Sequence, residues 1–168
     1  MTTRQKSRNN ERLATLARGR TLHLVDIENV CGTGVLTSEL VWGARALLHA
    51  SEFASNVHHW VVGASSSSSA LALIGWQDAR RVVQHGKDGA DLALLSVLDE
   101  QVTSRFSHVV VYSGDGIFAD PLARIAAGGV DTTVVARPEQ LSARLRLSAR
   151  HVVLLPSLVE ASATTLAA

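Results

Sequence analysis

The stretch LHLVDIEN, at residues 22–29, contains an apolar run that ends in a carboxylate, which is typical of a buried strand with a polar carboxyl end. The stretch VVVYSGD, at residues 109–115, repeats the arrangement, and in KDGAD, at residues 87–91, an aspartate opens an apolar helical run. The carboxyl ends of parallel strands meet at one edge of an α/β sheet, where ligands bind. We therefore expect the aspartates of the three stretches to lie close together: Asp26, Asp91 and Asp115.

Strand-like and helix-like segments alternate along the rest of the chain. Apolar runs predict strands at residues 21–27, 57–62, 81–84, 109–112, 132–136 and 152–155. Apolar residues at helical spacing predict helices at residues 36–50, 70–75, 88–101, 121–127 and 139–147. This alternation indicates an α/β fold with a mainly parallel central sheet and helices on both faces.

The composition narrows the class of protein. A chain of 168 residues that is 46% hydrophobic is long enough for one domain with a substantial core. Its single cysteine, Cys31, cannot form an internal disulfide, so the fold needs no oxidising compartment. No apolar run approaches the roughly 20 residues of a membrane span, and the first residues lack the apolar stretch of a signal peptide. We therefore expect a cytoplasmic protein with no membrane partner.

The basic residues are distributed unevenly. Residues 1–20 contain six basic residues and one acidic residue, whereas the whole chain has a net charge of only +1. The sequence thus predicts a basic N-terminal arm at residues 1–20, a globular domain at residues 21–156 and a tail at residues 157–168. A basic arm ahead of an acidic domain can hold a polyanion near the domain, and a solvated terminus is the alternative interpretation.

The three aspartates suggest a metal site. Carboxylates gathered at one edge repel one another unless a proton or a cation neutralises them. Hard oxygen ligands, without a cluster of histidine and cysteine, favour Mg²⁺ or Mn²⁺ over zinc. One or two divalent ions held between carboxylates can relieve charge on a phosphate and activate water. The residues therefore indicate a metal-dependent phosphoryl-transfer enzyme with Asp26, Asp91 and Asp115 as metal ligands.

Three motifs together resemble the NYN-domain branch of the PIN-like ribonucleases. They are VDIEN at residues 25–29, KDGADLAL at residues 87–94 and SGDGIF at residues 113–118. The resemblance covers the predicted globular domain, residues 21–156. It implies a PIN-like three-layer α/β/α sandwich that hydrolyses RNA, single-stranded by expectation, at an acidic site holding Mg²⁺ or Mn²⁺.

The resemblance also implies roles for individual residues. Asp26 matches a metal-binding carboxylate on the first strand, and Asn29 matches the polar residue that positions substrate or a metal-bound water. Asp91 and Asp115 match the acids of the middle helix and of the Ser-Gly-Asp motif, and Ser113 is a candidate donor to phosphate. Separately, Lys87 is a candidate phosphate contact beside the acidic edge, with a solvated surface lysine as the alternative.

One position departs from the family pattern. Ile117 stands where the family has a second acid, and it can neither bind a metal nor act as a base. Asp120 lies one helical turn later and is expected to supply the missing catalytic carboxylate. Two other functions stay open: a degenerate RNA-binding module without catalysis, and a metal-dependent phosphatase-like domain. A homodimer and other protein partners also stay open.

Overall fold

The computed structural model describes residues 19–50, 57–65 and 69–155. The predicted N-terminal arm, apart from Gly19 and Arg20, lies outside these residues, as does the predicted tail. Within the described ranges, no helix is both long enough and apolar enough to cross a membrane.

The centre of the molecule is a parallel sheet. The described residues form six strands: β1 Arg20–Asp26, β2 Val57–Ala64, β3 Arg80–Val83, β4 His108–Tyr112, β5 Asp131–Ala136 and β6 His151–Leu154. Their order in the sheet is β3-β2-β1-β4-β5-β6, and every neighbouring pair is parallel. The order reverses direction on either side of β1, so β1 and β4 lie at the point where ligand sites form in such sheets.

Helices connect the strands and cover both faces of the sheet. They are α1 Ile27–Cys31, α2 Ser38–His49, α3 Ser69–Gly75, α4 Gly89–Leu98, α5 Val102–Arg105, α6 Ala119–Ala127 and α7 Ala143–Ser148, with a 3₁₀ turn at Gly116–Phe118 before α6. One core joins the sheet to α4, α5, α6 and α7, and a second core joins the opposite face to α1, α2 and α3. The three-layer α/β/α sandwich expected from the sequence is confirmed.

Alternation along β1 explains the two cores. Leu22 and Leu24 point into the core shared with α4, and Val25 points into the core shared with α1 and α2. The β1 strand is buried on both faces, as a central parallel strand must be. Asp26 follows the same alternation as Leu24, so its side chain faces the layer that contains α4.

Helix boundaries differ from the sequence prediction where caps decide them. The last helix was expected from residue 139, but it begins after Ser142, whose hydroxyl accepts a hydrogen bond from the Leu145 amide at 3.2 Å. The predicted helix at residues 88–101 ends at Leu98, and a separate short helix follows Gln101, whose φ is +54°. The short α1 was not predicted, because five residues are too few for a periodic signal.

Candidate acidic site at the carboxyl edge of the sheet

Two central strands bring their polar ends together. The register pairs Val25 of β1 with Tyr112 of β4, so Asp26 and Ser113 follow side by side at the carboxyl edge. Asp26 caps α1, because its Oδ1 accepts a hydrogen bond from the Asn29 amide at 3.2 Å. Its other oxygen, Oδ2, accepts a hydrogen bond from the Ser113 hydroxyl at 3.1 Å. The Asp26 carboxylate is thus held in one orientation by two elements.

Asn29 links α1 to the loop that follows β4. Its Oδ1 accepts a hydrogen bond from the Gly114 amide at 3.0 Å. The Asp115 amide in turn donates to the Ser113 hydroxyl at 3.2 Å. The four polar residues, Asp26, Asn29, Ser113 and Asp115, therefore belong to one hydrogen-bonded network that joins the ends of β1 and β4.

Asp91 reaches the same edge from the first turn of α4. The helix lies close against β2 because Gly63 has no side chain: a Cβ there would lie 2.5 Å from Leu94 Cγ. The loop before α4 is also tight, since Asp88 has a φ of +57° and a Cβ on Gly89 would lie 1.9 Å from the Gln84 carbonyl oxygen. Close packing of α4 against the sheet is what carries Asp91 next to Asp26.

Burial leaves Asp91 in an unfavourable environment for an anion. The residue is only 8% exposed, and among the described residues its Oδ1 has no hydrogen-bond partner. Burial, and then the negative charges of Asp26, Asp115 and Asp88, raise the pKa of Asp91 from 3.8 to about 7. A side-chain hydrogen bond joins Asp91 to Asp26. Asp91 is therefore protonated in a large fraction of the molecules at neutral pH.

The pKa of Asp26 is raised as well. Burial is the main cause, and the charge of Glu28 adds to it. Hydrogen bonds from Asn29, Ser113 and Asp91 act in the opposite direction by stabilising the ionised form. Glu28 itself is half-buried and accepts a hydrogen bond from the Ser65 hydroxyl. The hydrogen bonds at this edge therefore offset only part of the effect that burial and neighbouring negative charges have on the pKa of Asp26.

Asp115 contributes from the solvent side. It is exposed, and its Oδ1 accepts a hydrogen bond from the Ile117 amide at 2.9 Å, which caps the 3₁₀ turn. In the described part of the chain, no three histidine, cysteine, aspartate or glutamate side chains are arranged to hold a metal ion as they stand. Asp26 and Asp91 are in direct contact, whereas the charge of Asp115 acts on Asp91 without a hydrogen bond between the two side chains. The side chains as placed therefore depart from the expected three-carboxylate cage.

The expected role of Asp120 does not match its position. Helix α6 buries Ala119 and Leu122 against the sheet, so Asp120 lies on the outer side of the helix. There its Oδ2 accepts a hydrogen bond from Arg144 Nη2 at 2.6 Å, and both side chains are 66% exposed. Asp120 is thus paired with Arg144 of α7, and it is not among the acids whose charges act on Asp91.

Two predicted substrate contacts lie in contrasting places. Ser113 is fully buried and already bonded to Asp26 and Asp115, so it orients these residues and is not placed to donate to a phosphate. Lys87, in contrast, is exposed in the loop before α4, four residues from Asp91. Its contact with phosphate stays a prediction.

The residues present suit a small divalent cation. An unsatisfied buried carboxylate oxygen on Asp91, a raised pKa and three oxygen-donor side chains form an environment that positive charge would stabilise. The thiol of Cys31 does not supply a sulfur ligand, because burial raises its pKa to about 11 and keeps it protonated. Asp26, Asp91 and Asp115 are the residues that would hold such an ion.

One basic residue at this edge was not predicted from the sequence. Arg137 directly follows β5 and is 9% exposed, with its guanidinium bonded to the Val30 carbonyl of α1. The pattern that selects the aspartates, a polar residue just past an apolar run, also applies to Arg137. Because Arg137 is basic, a pattern defined by carboxylates does not include it.

The fold and site define a class: doubly wound parallel α/β proteins with an acidic cluster where the ends of β1 and β4 meet. The model of the NYN domain matches residues 24–156, a range that includes every residue of this cluster. The chain therefore belongs to the NYN domain family, as its motifs predicted.

A solved structure supports the same fold. A protein of unknown function from Vibrio parahaemolyticus, VPA0982, is similar to this chain with a TM-score of 0.57 and 18% sequence identity. The similarity covers 84% of this chain and 95% of that chain. No curated protein matches the sequence. The likeness to VPA0982 concerns the fold alone.

Proposed function

We propose that this protein is a divalent-metal-dependent ribonuclease whose active site is the Asp26, Asp91 and Asp115 cluster. The observation that carries the proposal is the buried Asp26–Asp91 pair, in which Asp91 has a pKa of about 7 and an oxygen without a donor among the described residues. Perturbed carboxylates in a polar cluster at a ligand-binding edge are characteristic of functional sites. Membership in the NYN domain family makes a nuclease the appropriate class.

Each residue contributes through a contact that the fold provides. Asp26 is held by Ser113 and Asn29, so its carboxylate is oriented before any ligand arrives. Asp91 presents its unsatisfied Oδ1, and Asp115 adds charge from the exposed side. A bound Mg²⁺ or Mn²⁺ would supply positive charge at the phosphate and promote ionisation of the attacking water. Lys87, exposed in the loop before α4, is suited to contact the phosphate backbone of RNA.

A second function is favoured by one observation. Ile117 replaces the family acid, and Asp120 is engaged by Arg144 on the outside of α6. Since neither position adds a carboxylate to the cluster of three, the alternative is an NYN module that binds RNA without cleaving it. The two functions share the binding surface and differ only in turnover.

The test is cleavage of end-labelled single-stranded RNA by the full chain with Mn²⁺, with Mg²⁺ or with EDTA, alongside DNA of the same sequence. We expect cleavage only with metal, and loss of cleavage in Asp91→Asn. Asp99→Asn is the matched control, because Asp99 is an exposed acid at the opposite end of the same helix. RNA binding without cleavage by the parent protein would establish the binding module. Absence of both binding and cleavage would overturn both functions.

A further inference from the structure

Arg137 is a buried cation at the carboxyl edge of the sheet. Its Nε and Nη2 donate to the Val30 carbonyl oxygen at 3.2 and 2.7 Å, which satisfies a carbonyl in the last turn of α1. Nη1 makes no hydrogen bond to any residue in the described ranges. The guanidinium is thus anchored on one side and has donors left over on the other.

No acidic side chain in the described part of the chain pairs directly with the guanidinium. Within residues 19–50, 57–65 and 69–155, no aspartate or glutamate forms an ion pair with Arg137. The neighbouring Cys31 thiol does not replace one, because burial raises its pKa to about 11 and keeps it neutral. A buried charge without a counter-charge is destabilising, and an anion bound beside Arg137 would relieve that penalty.

A glycine leaves the free side of the guanidinium uncovered. Gly32 is exposed and has a φ of +69°, and a Cβ there would lie 3.0 Å from Arg137 Nη1. Any side chain at this position would therefore crowd Nη1. The absence of a side chain opens a path from the exposed backbone of Gly32 to the guanidinium.

Arg137 and the acidic cluster share the edge but occupy different faces. Arg137 lies against α1, whereas Asp26 faces the layer of α4. Consecutive residues of α1 contact both groups, because the Asn29 amide donates to Asp26 at 3.2 Å and the Val30 carbonyl accepts from Arg137 at 2.7 Å. The two groups are therefore close enough for one RNA strand to contact both, through different phosphates.

We infer that Arg137 binds a phosphate of the RNA strand through Nη1, on the β5 side of the acidic cluster and next to the phosphate that is cleaved. This role rests on the proposed function and identifies the ligand as a phosphodiester of a single strand crossing the sheet edge. A guanidinium suits this task because its planar donors match phosphate oxygens and it stays ionised when buried. The acidic cluster and Arg137 then recognise adjacent groups of one backbone.

The experiment measures RNA binding by the full chain in EDTA, where cleavage is blocked, across a range of salt concentrations. We expect Arg137→Gln to weaken binding about tenfold and to reduce the salt slope by about 0.7, the value for one phosphate contact on a single strand. Arg150→Gln is the matched control. Arg150 also donates to a backbone carbonyl, that of Ala126 at 2.9 Å, but it precedes β6 at the opposite edge. Equal effects of the two substitutions, or no effect of Arg137→Gln, would overturn the inference.

A second variant keeps the test decisive if Arg137→Gln does not fold. Gly32→Asn retains Arg137, tolerates the left-handed backbone and covers Nη1. We expect it to reduce affinity and salt slope as Arg137→Gln does, whereas full affinity would overturn the inference. A parent protein that cleaves RNA while both variants bind normally refutes only the role of Arg137. A parent that neither binds nor cleaves RNA refutes the proposed function and this inference together.

Discussion

Asp91 and Asp26 share a side-chain hydrogen bond at the carboxyl edge of the sheet although both are buried acids. Such a pair holds a proton or binds a cation, because two adjacent carboxylates do not both ionise easily without one. Asp91 retains an oxygen with no donor among the described residues, so the pair has unused capacity for a ligand. This relationship between a strand end and a helix start is the basis of the predictions on stability and metal binding.

The first prediction concerns Asp91 and pH. A folded-state pKa of about 7 against an ordinary value of 3.8 means that the folded protein binds more protons than the unfolded chain between these values. Without metal, the contribution of Asp91 to the free energy of unfolding therefore falls as pH rises from 4 to 7. At about 1.4 kcal/mol per pKa unit, Asp91→Asn should gain a few kcal/mol at pH 7.5 and much less at pH 4.5. Urea unfolding in EDTA at both pH values measures this, and an equal change at both would contradict it.

The second prediction concerns His23, whose contribution to the free energy of unfolding falls as pH decreases, opposite to that of Asp91. Burial, with further contributions from His58 and other histidines, lowers its pKa to about 3. Its ring is bonded to Tyr112 at 2.9 Å and to His58 at 2.8 Å, and it stacks on Trp60. Since the unfolded chain gains this proton near pH 6.5, the stabilising contribution of His23 is lost progressively as pH falls from 6.5 towards 3. Ring-nitrogen NMR should show a neutral His23 at pH 5, and a protonated ring at that pH would refute the assignment.

The third prediction tests the acidic cluster by substitution. Asp26→Asn and Asp115→Asn should each abolish metal-dependent cleavage, because each removes a charge needed to hold the cation. Both variants should keep the circular dichroism spectrum of the parent protein. Asp26→Asn should also stabilise the metal-free protein slightly by relieving repulsion with Asp91. The control is Asp131→Asn, which removes an acid paired with His151 at the opposite edge. Calorimetric titration with Mn²⁺ measures the loss of binding, and parent-like activity in either variant would exclude that residue as a ligand.

The fourth prediction separates Asp120 from the site. An exposed pair such as Asp120–Arg144 contributes about 1 kcal/mol or less, so Asp120→Ala should change stability little and activity less than twofold. Arg144→Ala should behave in the same way. Ile117→Asp, which restores an acid at a partly exposed position, should raise activity if a fourth carboxylate limits turnover. A tenfold loss in Asp120→Ala with no effect of Arg144→Ala would show that Asp120 turns toward the cluster during catalysis.

The fifth prediction concerns the basic arm. Residues 1–18 carry five basic residues and one acidic residue, and deleting them should weaken RNA binding at low salt without changing sequence preference. The slope of log affinity against log salt should fall by about 0.7 for each phosphate that the arm neutralises in the parent protein. Replacing the five basic residues with glutamine keeps the length and should reproduce the effect of deletion. An unchanged salt slope in both proteins would mean that the arm does not contact RNA.

Residues of the same site differ in how far their placement follows from the local sequence. Asp26 and Asp115 were predicted at the edge because each follows an apolar strand, and adjacency of β1 and β4 brings them to one place. Asp91 was predicted from its motif, but its burial depends on α4 packing over Gly63, which periodicity does not reveal. Ser113 was predicted to face the substrate, and only the completed fold shows that Asp26 and Asp115 occupy its hydroxyl.

The sequence by itself determined the parallel α/β architecture, the family and the acids at the strand ends, because hydrophobic period and strand-end position are local properties. The tertiary structure alone decided which direct contacts these side chains make. It paired Asp91 with Asp26, turned Asp120 outward to Arg144 and brought Arg137 from β5 to the Val30 carbonyl of α1. These outcomes depend on ion pairs and hydrogen bonds between distant segments, and on how closely helices approach the sheet at glycines. Both are set by long-range packing, which no local pattern in the chain encodes.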